Sequence, residues 1–180
     1  MTAETRRAAP TLHLTRWTIA SGSQVQSRGA VVISSGDHAW QASAEGNGAV
    51  DALFKAVDKA LADVLHGHPR LVAYDVHAVG EGPGAEGLVT VRISPPAEAP
   101  GARGDGEYTG ETRSTNIIAA SVDAYLQAIN RLLAEEHWAG AADAAGNQKR
   151  TRGRSSAAGA RAEMDEDEAQ HDATTWFDPR

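Results

Sequence analysis

A short stretch of this chain occurs twice. Val50-Asp51-Ala52-Leu53-Phe54-Lys55-Ala56-Val57 returns 72 positions later as Val122-Asp123-Ala124-Tyr125-Leu126-Gln127-Ala128-Ile129. Val, Asp and both Ala are identical, and apolar residues replace apolar ones elsewhere. Whatever supersecondary unit contains the first copy, the second copy builds again, so the repeat restricts the fold before anything else is considered. Both copies have helical periodicity. Val50, Leu53, Phe54, Val57, Leu61 and Val64 share one face of the first; Ile118, Val122, Tyr125, Leu126, Ile129 and Leu133 share one face of the second.

Three strand-like stretches precede each helix. Ahead of the first are Leu12–Ile19, Ala30–Ser34 and His38–Ala44, with a tight turn at Gly36-Asp37. Ahead of the second are Leu71–Val79, Leu88–Ser94 and Gly106–Gly110, with a mobile Pro/Gly/Ala loop from Pro95 to Asp105. The pattern predicts an α+β fold: two βββα units related by an internal pseudo-two-fold, antiparallel sheets each covered by a helix, and a cleft between the units.

The folded part is bounded by where apolar residues stop. From Gly140 to Arg180 there is no Val, Ile or Leu; a basic run (Lys149, Arg150, Arg152, Arg154) is followed by an acidic one (Asp165 to Glu168). Such a segment buries too little apolar area to offset the entropy of ordering. The expectation is a disordered arm at 1–10, one domain at 11–139 (units about 11–66 and 70–138), and a disordered tail at 140–180, in which Trp176-Phe177 is read as a chance aromatic pair. At 180 residues the chain is too short for a (β/α)₈ barrel, which takes roughly 250. The balance of 17 Lys and Arg against 24 Asp and Glu leaves a charge of −7, which argues against nucleic acid or an anionic membrane as partner. No apolar run approaches the roughly 18 residues of a membrane span. Met1–Pro10 lacks the apolar core of a signal peptide. Cysteine is absent, so thiolate chemistry and cysteine-held metals are excluded, and a cytoplasmic setting is expected.

The first helix opens Glu45-Gly46-Asn47-Gly48-Ala49-Val50-Asp51. Two glycines one residue apart permit positive φ and close approach of a ligand, and free helix-start amides suit a carboxylate; a plain capped turn is the alternative. Ser114, Thr115 or Asn116 caps the second helix. Gly80 to Gly87 is a hairpin loop or a small-residue wall. His66-Gly67-His68 is a helix exit rather than half of a metal site, and His77 is a half-buried strand histidine. Arg103-Gly104-Asp105 is a coincidental match to a cell-adhesion tripeptide. No nucleophile, base and orienter assemble, so no catalytic residue, metal or cofactor is expected.

Four blocks, Glu45 to Leu53, Leu71 to Ala78, Ala85-Glu86-Gly87 and Asn116 to Ser121, resemble the C-terminal regulatory domain of the α-isopropylmalate synthase and citramalate synthase family, in family order and spacing, over about Leu12 to Leu133. The resemblance implies two βββα units, homodimerisation, and binding of an end-product branched-chain amino acid, leucine first, in feedback control of leucine biosynthesis. It implies ligand contacts at Gly46, Asn47, Gly48, Val50 and Asp51, a wall of Leu71, Tyr74 and Ala78, and Ala85 and Gly87 opposite, their small size leaving volume for a branched side chain. The metal-binding catalytic barrel of those acyltransferases has no counterpart in these blocks. The expectation is therefore a non-enzymatic regulatory domain, free-standing or a truncated product, acting on its own or with a separate synthase subunit; a dimerisation module with a decayed pocket is the alternative.

Overall fold

The computed structural model describes residues 11–97 and 106–135. The arm at 1–10, most of the loop before Asp105, the adhesion-like tripeptide and the tail lie outside them. The order is β1 (His13–Gly22), β2 (Val25–Ser35), β3 (His38–Gly46), α1 (Ala49–Leu65), β4 (Arg70–Val79), β5 (Glu86–Ser94), β6 (Tyr108–Ser114) and α2 (Ile117–Glu135). Two antiparallel three-stranded sheets result, β1-β2-β3 and β4-β5-β6, each followed by a helix. This is the doubled βββα, α+β architecture that the repeat predicts. Strand β6 runs beyond the expected Gly110 to Ser114, and Pro95 and Pro96 are buried, Pro96 lying close to Gly67 at the exit of α1.

The two units match down to an irregularity. In β1 the register slips between Leu14 and Arg16, leaving Thr15 as the extra residue; in β4 it slips between Leu71 and Ala73, leaving Val72. Leu14 faces Ile33, and Leu71 faces Ile93. Ile33 then faces Trp40, and Ile93 faces Tyr108. The structural spacing of the helices differs from the spacing of the repeated letters. The helices start at Ala49 and Ile117, 68 residues apart. Ala52, Ala56, Val57, Leu61 and Val64 therefore correspond to Ala120, Ala124, Tyr125, Ile129 and Leu132, and all ten are buried. The written repeat at 72 is one helical turn out of phase, a slip that a 3.6-residue period tolerates because it preserves the face.

Alternation on the central strands sets the core. Val31 and Ile33 of β2 and Val89, Val91 and Ile93 of β5 are fully buried under the helices. The sheets' other faces carry cross-strand ion pairs such as Arg28–Glu45 (2.9 Å) and Arg113–Glu86. The units join through their helices. Phe54 of α1 stacks on Tyr125 of α2 with centroids 4.4 Å apart, and Tyr125 donates a hydrogen bond to Asp58 at 2.5 Å. Leu12, just ahead of β1, is held by Asn130 of α2, which both accepts from its N–H and donates to its carbonyl at 2.8 Å.

Candidate functional site

Each helix lies over the second and third strands of its own sheet and leaves the first strand less covered. On β1 the gap is partly closed: Leu14, Trp17 and Ile19 are half-buried against the common core, with α2 alongside. On β4 it stays open. Leu71, Tyr74 and Val76 face Ile93, Val91 and Val89 in the register, so they stand on the helix side of the sheet, yet they are 50%, 36% and 40% exposed. Ala78 continues the same face opposite Gly87. An apolar row on the inner side of a sheet, beyond the reach of its helix, is a candidate surface for a ligand or partner.

Several expected wall residues share this place. Tyr74 and Ala78 line it, and Gly87 forms its floor: a Cβ at Gly87 would collide with the side chain of Ile117 and sit 3.7 Å from Val76. Ala85 precedes Gly87 by two residues, with its N–H bonded to Gly82 O (3.1 Å) in the hairpin turn. Three contributors escaped the sequence reading. Val76 follows from strand alternation. Ile117 and Ser121 belong to the first turns of α2, and only the folded chain brings them beside β4. Ser121 Oγ donates to Ile117 O at 2.6 Å, so the Tyr74 hydroxyl, 2.8 Å away, is the donor to Ser121. That bond ties the exposed ring to a fully buried serine. The ring also meets Phe54 edge-on, with centroids 6.0 Å apart. Leu71 stands about 20 Å along the strand from Ala78 at ~3.3 Å per residue, so one small molecule does not touch both.

The glycine loop is built differently from the expectation. Neither glycine has positive φ: Gly48, the N-cap of α1, is extended at φ −161°, and its missing Cβ faces open space. Gly46 is required for contact, because a Cβ there would strike the backbone of Ala52. Asp51 turns back to accept the Asn47 N–H at 2.9 Å and pairs with Lys55 at 2.8 Å. The Lys55 bond first, and the Asn47 amide second, hold its carboxyl below the usual value. Asp51 thus fastens the loop, and one amide expected to meet a ligand is already bonded. The helix-start amides beyond it have no side-chain cap, whereas Asn116 caps α2 by accepting the Ala119 N–H at 3.2 Å. Val50 lies one turn before Phe54, on the side of α1 that turns toward Tyr74.

The remaining motifs are structural. His66 is the left-handed C-cap of α1, its N–H bonded to Ala62 O. His77 is exposed rather than half-buried, because it stands on an edge strand left uncovered on both faces. Gly80 and Gly82 adopt positive φ in the β4–β5 hairpin. Among the described residues, no cluster of His, Asp and Glu could hold a metal, and no helix is long and apolar enough to cross a membrane.

Fold and face together define a doubled βββα domain of the ligand-binding or assembly kind. The chain belongs to the LeuA allosteric (dimerisation) domain family, whose model matches residues 1–133. Among curated proteins it is similar to the 2-isopropylmalate synthase of Salinibacter ruber, with 40% identity over 95 residues, covering 52% of this chain and 15% of that protein. It matches the 2-isopropylmalate synthase of Ruminiclostridium cellulolyticum at 38% over 117 residues (65% of this chain, 21% of that protein). That of Methylacidiphilum infernorum matches at 42% over 88 residues (49% and 15%). The chain thus spans between about a seventh and a fifth of these relatives' length.

Proposed function

We propose that the chain is an amino-acid-sensing regulatory domain. It binds leucine or a similar branched-chain amino acid, homodimerises, and serves feedback control of 2-isopropylmalate synthesis in the cytoplasm, either as a free domain or beside a separate synthase subunit. The observation that carries this reading is the uncovered apolar face of β4: Tyr74, Val76 and Ala78 above Gly87 and Ile117 offer a small, water-facing apolar site. A branched side chain fits there by burial of apolar area. The uncapped start of α1 supplies amides for the carboxylate. Gly46 and Asp51 shape that loop, while Asn47 and Gly48 present it. No residue in this reading has a catalytic role. Calorimetry of the whole chain with leucine, isoleucine and valine tests it: saturable heat with at least one of the three is expected, and no binding at millimolar concentration overturns it.

A second reading rests on Asp51. Because its carboxylate already takes the Asn47 amide, the domain could serve assembly alone, with the β4 face buried in a dimer. That reading predicts a stable dimer indifferent to all three amino acids.

A further inference from the structure

The joint between the units contains a partly buried ionisable pair, Asp58 half-buried and Tyr125 buried, that the amino-acid site does not use. Tyr125 of α2 is 2% exposed. Two successive turns of α1 grip it: Phe54 stacks on the ring, and Asp58 Oδ1 accepts from the hydroxyl. Two groups facing this carboxylate act on it, Tyr125 from α2 and His68 from the turn that leads into β4. The neighbouring lysines of α1 are engaged elsewhere, Lys55 with Asp51 (2.8 Å) and Lys59 with Ser43 O (3.3 Å). Among the described residues, the side chain that hydrogen-bonds Asp58 is a neutral hydroxyl, and burial disfavours the carboxylate's charge. Loss of water outweighs the lowering effects of the Tyr125 bond and of His68, and raises the carboxyl from 3.8 to about 6. Burial, and then Asp58 itself, move the Tyr125 hydroxyl well above its ordinary value, so Tyr125 remains a donor and only Asp58 changes state.

We propose that Asp58 and Tyr125 form a proton-operated clasp that sets how firmly the two βββα units are docked. With Asp58 protonated, the joint is a neutral hydrogen bond beside stacked rings. With Asp58 ionised, a charge sits in the apolar joint, and docking weakens. The sign follows from linkage: the folded chain binds this proton more tightly than the unfolded chain, so the stabilisation is complete below about pH 4 and is lost as the pH rises through about 6. Phe54 also meets Tyr74 edge-on, so the clasp adjoins the β4 face; it does not depend on what that face binds.

The test follows the folding equilibrium of the full chain by urea denaturation from pH 4.5 to 7.5. Asp58→Asn keeps an acceptor for Tyr125 but cannot ionise. Asp123→Asn is the control, since Asp123 on α2 is also raised by burial. The wild type is expected to lose between tenfold and roughly a hundredfold in its folding constant, relative to Asp58→Asn, across this range. Asp123→Asn is expected to keep most of that dependence. A carbon-13 titration of the wild-type side-chain carboxyls needs no variant; it should show one aspartate near 6, moving upward in Tyr125→Phe, where the bond that lowers it is gone. An Asp58 that titrates in the ordinary carboxylate range, or an Asp58→Asn chain with the wild-type pH profile, overturns the clasp.

Discussion

Asn130 does for Leu12 what a neighbouring strand would do, satisfying both its N–H and its carbonyl. Leu12 is 5% exposed, so removing the amide strands two buried backbone groups. Asn130→Ala is expected to cost about 2 kcal/mol in chemical denaturation, while an exposed substitution on the same helix changes little. The loop glycines separate in the same way. Gly46→Ala forces a methyl into the backbone of Ala52 and should destabilise by about 2 kcal/mol. Gly48 has open space and an extended backbone, so Gly48→Val should leave the fold within about 1 kcal/mol of wild type. If the α1 start holds the ligand carboxylate, the same variant lowers leucine affinity at least about tenfold, or about 1.4 kcal/mol. Melting and calorimetry on the two variants distinguish a packing glycine from a binding one.

At the scale of elements, strand and helix periods revealed the doubled βββα order, because each element buries one face. They did not reveal which first strand stays open: β1 and β4 read alike, and they differ because both helices pack beside β1. The repeat was legible, yet its phase was not, since a slip of one turn keeps every apolar residue on the same face. Tyr74, Ala78 and Gly87 could be placed on one surface by alternation, whereas Ile117 and Ser121 come from a distant helix and carry no local signal. The bond from Asn47 to Asp51 was equally silent in the sequence: an acid at the third helical position serves the loop before it as readily as a ligand. The helix joint also yields a prediction. Phe54 touches both Tyr74 and Tyr125, so Phe54→Ala should cost about 3 to 4 kcal/mol and Phe54→Leu about 1. Urea unfolding of the two proteins measures this directly.

For the whole molecule, the proposed reading assigns both assembly and recognition to the open edge of β4. Its ten residues extend for about 30 Å, long enough for Leu71 and Val72 to meet a second copy while Tyr74 to Ala78 contact a small ligand. Unpaired strand edges with apolar side chains associate unless covered, and a two-fold pairing covers both copies at once. Leu71→Glu should therefore shift the sedimenting species from dimer to monomer while changing the melting temperature little, because Leu71 is half exposed in the isolated chain. The central claim, that this face receives a branched-chain amino acid, is tested most directly by following backbone amide resonances of the full chain during titration with leucine. The account predicts saturable shifts at Tyr74, Val76, Ala78 and Gly87 and in the first turn of α1. Shifts confined to other surfaces, or a spectrum that leucine leaves unchanged, would contradict it.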